Sequence, residues 1–216
     1  MSPLLEVKNL RIELTTRDGV APVIDDLSFT LNPGETMSFV GESGCGKSMT
    51  ALALLGLLPE KVGRVAAGNI IFDGEDLAQA SDERLRAIRG NEISMIFQEP
   101  MTSLNPVFTI GEQIAEVLRA HQGLSRKAAW TQSIELLNAV RIPNAKSRVS
   151  DYPFQMSGGQ RQRAMIAMAL ACQPKILIAD EPTTALDVTV QAQIFDLLTD
   201  LRKQTGAAII LITHDM

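Results

Sequence analysis

The sequence has 216 residues, of which 45% are hydrophobic and 21% are charged. This composition is typical of a globular chain and excludes a disordered, collagen-like or disulfide-scaffold protein. Twenty Lys and Arg against 25 Asp and Glu leave a net charge of −5, and there is no basic run, so nucleic acid is not an expected partner.

The first residues are predicted to form a β lobe that leads into a strand and a helix. Alternating apolar residues over 10–14 and a strand-like stretch over 23–31 flank the turn signal Asp18-Gly19, which together predict a hairpin. Residues 36–40 form a short apolar run that leads into glycines and then into a helical pattern over 49–58. The order is therefore strand, glycine-rich loop, helix.

The middle of the chain is predicted to contain one more strand and then helices alone. Ser81 is expected to cap a helix whose first turn is acidic, and residues 93–97 are expected to form a strand. Two prolines predict a loop over 99–106, and the pattern over 110–138 is purely helical.

The last third again alternates helices with strands. The predicted elements are a helix over 157–172, a buried strand over 175–179, a helix over 188–204 and a strand over 207–213. Such alternation implies an α/β fold with a mostly parallel sheet. We expect a single domain over 1–216, in which 1–98 and 157–216 form the core with its antiparallel β lobe and about 99–156 form an inserted all-helical subdomain.

Targeting and redox signals are weak. No apolar run reaches the roughly 18 residues of a membrane span, and no signal peptide is visible. Cys45 and Cys172 form neither a disulfide framework nor a metal-ligand cluster. A reduced, cytoplasmic protein is expected.

A glycine-rich loop carries the clearest chemical signal. Its spacing is G-x-x-x-x-G-K-[ST], and it lies between a predicted strand and a predicted helix, where backbone N–H groups and a helix N-terminus cradle phosphates. Lys47 is expected to reach the β- and γ-phosphates, and the Ser48 hydroxyl is expected to hold Mg²⁺. The alternative is a chance glycine turn. The predicted nucleotide-binding residues are Gly41, Glu42, Ser43, Gly44, Cys45, Gly46, Lys47, Ser48 and Met49.

A second signal is the pair of carboxylates, Asp180 and Glu181, that ends an apolar strand. Ligands of open α/β sheets bind at this edge. We predict that Asp180 binds Mg²⁺, directly or through water, and that Glu181 is the general base for the water that attacks the γ-phosphate. The alternative is a solvated acidic pair before Pro182.

The third signal is a helix that opens with Ser157, Gly158, Gly159 and Gln160. A capping box alone would explain the serine and the glutamine. Two glycines, however, weaken a helix start unless something approaches the backbone closely. This helix is therefore a candidate second anion site.

Taken together, these motifs resemble those of the ABC ATPases, a family with a P-loop NTPase core. Residues 156–160 resemble the family signature, and the other motifs follow the family's order and approximate spacing: Gly41–Ser48, Gln98, Asp180-Glu181, Ala185-Leu186-Asp187 and His214. The resemblance implies that ATP and Mg²⁺ are the ligands. It also implies a head-to-tail dimer in which each ATP lies between the phosphate loop of one chain and Ser157 and Gly159 of the other.

The same resemblance assigns roles to three more residues. Gln98 would contact Mg²⁺ or the attacking water and link the site to a membrane partner; its alternative is an ordinary polar strand end. Asp187 would cross the dimer interface, a role compatible with a plain helix cap. His214 would contact the γ-phosphate.

Residues 98–106, 111–114 and 152–155 resemble the oligopeptide, dipeptide and nickel importer branch of this family. The implied function is the ATP-hydrolysing motor of a di- or oligopeptide importer, on the cytoplasmic face of the membrane. Its implied partners are membrane-spanning permease subunits, a second ABC ATPase chain of the same or another kind and, indirectly, a periplasmic or extracellular solute-binding protein.

The alternative within the family is a non-transport ATPase that acts on chromosomes, DNA repair or ribosomes. Chromosome and repair members place a very long coiled coil between phosphate loop and signature, whereas Lys47 and Ser157 are only 110 positions apart here. A ribosome-acting member would have two ATPase halves.

The sequence also departs from the family pattern. Leu14 stands where many members have an aromatic residue that stacks on adenine, so we expect aliphatic contact with the base and loose discrimination between ATP and GTP. The chain stops at Met216, immediately after His214-Asp215, where members continue, so we expect a C-terminal truncation and an exposed strand edge. Cys45 lies beside Lys47 and a helix N-terminus, which favours a thiolate.

Overall fold

Two four-stranded sheets form the framework of the computed structural model, which describes residues 2–17, 19–42, 44–183 and 187–214. In spatial order, the antiparallel sheet consists of β2 (Gly19–Leu31), β1 (Leu5–Thr16), β4 (Gly63–Phe72) and β5 (Glu75–Asp76). The parallel sheet consists of β3 (Thr36–Val40), β8 (Ala208–Thr213), β7 (Ile176–Asp180) and β6 (Ile93–Ile96).

Within the described ranges, eight α-helices connect or cover these strands. They are α1 (Lys47–Leu54), α2 (Asp82–Ile88), α3 (Pro100–Ser103), α4 (Ile110–Gln122), α5 (Arg126–Ala139), α6 (Ala145–Arg148), α7 (Gly158–Ala169) and α8 (Val188–Thr205). Two short 3₁₀ turns lie at Leu77–Gln79 and Pro153–Gln155. Helices α3 to α6 follow one another between β6 and α7 without an intervening strand. This is the predicted α/β architecture with its antiparallel lobe and helical insertion.

The predicted hairpin is present, although its strands are longer than expected. Ile12 pairs with Ile24 and Thr16 pairs with Gly19. The two strands therefore include most of residues 15–22, which lie between the two predicted strands. Asp18 itself lies outside the described residues. Strand β4 was not predicted from the sequence; it pairs with β1, with Leu5 opposite Phe72, and extends the hairpin into a sheet.

The predicted N-caps of three helices are confirmed. The hydroxyl of Ser81 accepts from the Arg84 N–H at 3.2 Å, and the Asp187 carboxylate accepts from the Val190 N–H at 2.9 Å. Ser157 shows a full capping box, described with the site below. Each cap satisfies a backbone donor that would otherwise lack a partner.

Two helices end earlier than predicted. Helix α7 stops at Ala169 rather than 172, and α1 stops at Leu54 rather than 58. At the end of α1, the Arg89 guanidinium donates to the carbonyls of Leu55 and Gly56, each at 2.6 Å. A tertiary contact thus satisfies the carbonyls that directly follow the helix, and periodicity alone could not reveal it. The predicted loop over 99–106 contains the single turn α3.

Strands β6 and β7 of the parallel sheet are buried on both faces. On β7, Leu177 and Ala179 face a core shared with the helical insertion, whereas Ile176 and Ile178 face a core shared with the antiparallel lobe. Buried apolar residues on both faces are the pattern of parallel strands covered from two sides. The expected exposed edge does not lie at the last strand, because β8 pairs with β3 on one side and β7 on the other. No helix of the described ranges is both long and apolar enough to cross a bilayer.

Candidate nucleotide-binding site

The glycine-rich loop joins β3 to α1 at the carboxyl end of the parallel sheet. Gly44 and Gly46 adopt left-handed φ values of 84° and 95°. A Cβ on Gly46 would lie 2.4 Å from Cδ1 of Ile24, so the lobe strand β2 presses directly on the loop. Ser43 lies outside the described residues, and the other eight residues predicted to bind nucleotide surround this turn.

Lys47 is the cation of this loop. Its Nζ donates to the Gly41 carbonyl at 2.6 Å and to the Glu42 carbonyl at 2.7 Å, and it lies 3.5 Å from Sγ of the exposed Cys45. The ammonium group therefore lies against the loop backbone, in a cleft open to a phosphate. Contact of Lys47 with the β- and γ-phosphates stays a prediction.

Asp180, at the end of β7, is 4% exposed and is hydrogen-bonded to the Ser48 side chain. Burial raises the pKa of Asp180, while the bond from Ser48 opposes the shift. Its Oδ1 atom is buried and has no hydrogen-bond partner among the described residues. A hydroxyl next to a carboxylate with an unpaired oxygen suits Mg²⁺. Within the described residues no three His, Cys, Asp or Glu side chains cluster as metal ligands, so phosphate or water oxygens would have to complete the shell.

Glu181 lies at the centre of a hydrogen-bonded group from three strand ends. Nε2 of Gln98, which follows β6, donates to one carboxylate oxygen at 2.6 Å, and Nε2 of His214, which follows β8, contacts the other. The Glu181 backbone has a left-handed φ of 46°, and its N–H donates to the Ile212 carbonyl at 2.9 Å. A side chain that is only 8% exposed is thereby fixed in place.

This group and the phosphate loop share one open cleft of about 160 Å³. The cleft is lined by Val23, Gly44, Gly46, Lys47, Ser48, Met49, Gln98, Glu181 and His214. The structure therefore brings together the residues predicted to bind phosphate and the three predicted catalytic residues. Val23 and Ile24 were not predicted, because nothing in the sequence of a lobe strand marks it as lying against this loop.

The signature residues form a second cleft, of about 440 Å³, that shares no lining residue with the first. The Ser157 hydroxyl accepts from the Gln160 N–H at 3.3 Å, and Oε1 of Gln160 accepts from the Ser157 N–H at 3.0 Å. Asp187 lies in the same cleft. Ala185 and Leu186, which precede it, lie outside the described residues.

Two details of the signature cleft were not predicted. A Cβ on Gly159 would lie 3.1 Å from Cγ1 of Val190, so close packing against α8 accounts for part of the need for glycine there. Arg163 also lines the cleft and donates to the side chain of Gln193 at 2.9 Å. Burial, and to a smaller extent the nearby Arg141, lowers the pKa of Arg163.

An apolar cleft of about 290 Å³ lies near the other end of α1. Its lining includes Leu57, Phe97, Val117 and His121, with Arg89 among the polar residues. Phe97 is 39% exposed and directly precedes Gln98. The cleft therefore adjoins the hydrogen-bonded group around Glu181.

Comparison with known sequence families matches residues 24–184 to the family described as ABC transporter. The chain belongs to the ABC transporter family. The family and the fold predicted from the motifs are thus confirmed.

Curated relatives of this ABC chain carry transport names. It is 56% identical over its full length to the oligopeptide transport ATP-binding protein OppD of Haemophilus influenzae, and it covers 66% of that protein. It is 52% identical, over 99% of its length, to the putative peptide import ATP-binding protein BMEII0863 of Brucella melitensis, of which it covers 65%. The chain therefore spans slightly less than two thirds of these relatives.

Solved structures show the same fold. The chain is 28% identical to the ATP-binding cassette MJ0796 in a dimeric, post-hydrolysis state bound to ADP and Pi, with a TM-score of 0.86, and covers 88% of that chain. It is 26% identical to cbiO1 of Clostridium perfringens, a part of the ABC transporter complex cbiONQ, with a TM-score of 0.79 and 80% of that chain covered.

Proposed function

We propose that this chain binds and hydrolyses ATP as the motor subunit of an ABC importer for di- or oligopeptides. The observation that carries the proposal is the buried Glu181 carboxylate, which Gln98 and His214 hold in the same cleft as Lys47 and Ser48. The peptide class is supported by relatives named for oligopeptide transport and peptide import, more than half identical to this chain.

Each residue of the cleft has a distinct part in the proposed reaction. The backbone N–H groups of the loop and the Lys47 ammonium group hold the phosphates. Glu181 accepts the proton of the attacking water, because both of its oxygens are oriented by donors from neighbouring strand ends. Gln98 and His214 are the residues that orient it, and His214 is also expected to contact the γ-phosphate.

The cleft also suits a divalent cation. Ser48 Oγ, the unpaired oxygen of Asp180 and the side-chain oxygen of Gln98 are the proposed ligands of Mg²⁺. The ion would neutralise negative charge on the phosphates. The ionised form of Asp180 is disfavoured by burial, and a bound cation would stabilise that form.

We propose that two such chains bind ATP between them. Within one chain the phosphate loop and the signature line separate clefts, so the signature residues Ser157 and Gly159, together with Asp187, are available to a second copy or a related ABC chain. The dimeric state of the cassette MJ0796 supports this arrangement.

The apolar cleft is the proposed contact for a membrane-spanning permease subunit at the cytoplasmic face of the membrane. An apolar helix bound beside Phe97 would lie next to Gln98. Because Gln98 donates a hydrogen bond to Glu181, movement of that helix would be coupled to the position of Glu181. In an importer of this kind, a periplasmic or extracellular solute-binding protein would act through the permease rather than on this chain.

Hydrolysis is tested by measuring phosphate release from Mg²⁺·ATP. Lys47→Met should lower the rate at least about 100-fold, because it removes a cation from the transition state. Lys146→Met, which removes an exposed cation from α6, is the matched control and should leave the rate unchanged. Equal rates in the two variants would refute the assignment.

Pairing is tested by light scattering on Glu181→Gln, which should trap ATP before hydrolysis. The expected result is an ATP-dependent doubling of mass that is lost on adding Ser157→Arg but kept on adding Ser150→Arg, an exposed serine outside the signature cleft. A variant that binds ATP yet stays monomeric would contradict self-pairing.

Permease contact is tested by co-purification from membranes. Leu57→Asp, in the apolar cleft, should abolish co-purification while nucleotide binding persists. Val20→Asp, an exposed apolar residue of β2, should have no effect. Fractionation with ribosomes or DNA instead of membranes would favour the non-transport alternative.

A further inference from the structure

A fourth cleft lies between α4 and α5 in the helical insertion, and none of its residues has been given a role in nucleotide binding above. It has a volume of about 580 Å³ and is lined by Glu112, Arg119, Arg126, Lys127, Trp130 and Thr131. We call it the basic cleft. None of these residues lines the phosphate-loop, signature or apolar cleft.

The basic cleft holds three cations and one carboxylate. Arg119 pairs with Glu112 at 2.7 Å. Arg126 and Lys127 are exposed, and their side chains make no ion pair or hydrogen bond with any residue that the structure describes. An excess of positive charge in a chain of net charge −5 marks this cleft as a place for an anion.

The walls of the basic cleft are held by packing. Trp130 is half-buried and lies so close to α4 that a Cβ on Gly111 would be 2.9 Å from its Cζ3 atom. The ion pair with Glu112 restrains Arg119 in turn. An indole ring and a guanidinium group are therefore positioned before any ligand arrives, which lowers the entropy lost on binding.

We infer that the basic cleft binds a phosphate-bearing anion through Arg119, Arg126 and Lys127. Guanidinium groups form paired hydrogen bonds with phosphate oxygens, and lysine adds a mobile point charge. The phosphate belongs either to a small soluble compound or to the headgroup of an anionic lipid. This binding is separate from ATP hydrolysis and requires none of the residues proposed for it.

Trp130 is the only tryptophan of the chain, so its fluorescence reports on this cleft directly. The full chain would carry Lys47→Met, so that the phosphate loop does not contribute. It is titrated with inorganic pyrophosphate and, separately, with vesicles of phosphatidylglycerol, using phosphatidylcholine vesicles as the uncharged control. A saturable change that weakens as salt is added is expected with at least one anionic probe.

The decisive comparison is between two double variants. Arg126→Gln with Lys127→Gln should weaken binding at least ten-fold, whereas Arg86→Gln with Lys146→Gln, two exposed cations outside the cleft, should leave it unchanged. Removing cations from the first turn of α5 favours that helix, so the first variant keeps its fold.

Each outcome bears on the inference. Saturation with pyrophosphate identifies a soluble phosphate compound, and saturation only with phosphatidylglycerol identifies a lipid headgroup. No saturable change with either probe, or equal affinity in the two double variants, overturns the inference.

Discussion

Gly46→Ala is the substitution whose effect can be worked out most completely from the structure. Gly46 has a φ of 95°, and a new Cβ would lie 2.4 Å from Cδ1 of Ile24. Two separate costs therefore combine at one position. Gly44 provides the comparison, since it has a φ of 84° but, its chain neighbours aside, no heavy atom of a described residue lies within 4 Å of the position that a Cβ would take there.

The left-handed backbone costs an alanine about 1–2 kcal/mol. Displacing the end of Ile24 into another rotamer costs about 0.5–1.5 kcal/mol, and the reduced entropy of the unfolded chain returns about 0.4–1 kcal/mol. We expect Gly46→Ala to lower the free energy of unfolding by about 2 kcal/mol and Gly44→Ala by about 1 kcal/mol. Both should also weaken nucleotide binding, because the loop's N–H groups must turn towards the phosphates.

The assay is urea unfolding followed by far-UV circular dichroism. Ile24→Val removes Cδ1, so a double-mutant cycle between Gly46→Ala and Ile24→Val should show a coupling energy of about 1 kcal/mol. The same cycle with Gly44→Ala should show none. Zero coupling for Gly46, or equal stability of the two alanine variants, would refute the reasoning.

Three further predictions concern Asp180, Cys45 and Leu14. Because burial raises the pKa of Asp180, its ionisation costs folding free energy above the ordinary aspartate pKa, and the cost fades as the pH falls towards about 4. Asp180→Asn should therefore raise the urea midpoint at pH 7, lose that advantage near pH 4, and abolish Mg²⁺-dependent hydrolysis; an advantage independent of pH would contradict this origin. Alkylation of Cys45 should block nucleotide binding and ATP should protect the thiol, as mass spectrometry of the labelled chain would show; full modification with unchanged affinity would reject the prediction. With Leu14 in place of an aromatic residue, binding titrations should give similar affinities for ATP and GTP, and Leu14→Tyr should favour ATP; a strong preference of the unaltered chain for ATP would contradict aliphatic packing of the base.

The features predicted well from sequence are those set by neighbouring residues. The Ser157 capping box and the Asp187 cap depend on residues three positions apart, and both are present as expected. The phosphate loop likewise depends on a short spacing between a strand and a helix. Contacts of this kind can be predicted from sequence because the interacting groups are close together in the chain.

The features missed depend on partners far away in sequence. Strand β4 contains an Ala-Ala-Gly stretch that breaks the apolar alternation, and only its pairing with β1 makes it a strand. The bond from Gln98 to Glu181 joins residues 83 positions apart. The family resemblance implied that Gln98 contacts Mg²⁺ or the water that Glu181 activates. The direct contacts of Glu181 with Gln98 and with His214 became visible only once the strand ends were placed side by side.

Helix α1 begins at the phosphate loop and ends beside the apolar cleft. The helix has eight residues, about 12 Å of length, and begins at Lys47 and Ser48. Its far end is tied through the carbonyls of Leu55 and Gly56 to Arg89, in the wall of the apolar cleft. Under the proposed function, a shift of the phosphate-binding end along the helix axis would reach the cleft undiminished, because a helix this short neither bends nor stretches appreciably. Gain or loss of a phosphate would then change the position of the cleft wall, without any segment having to refold.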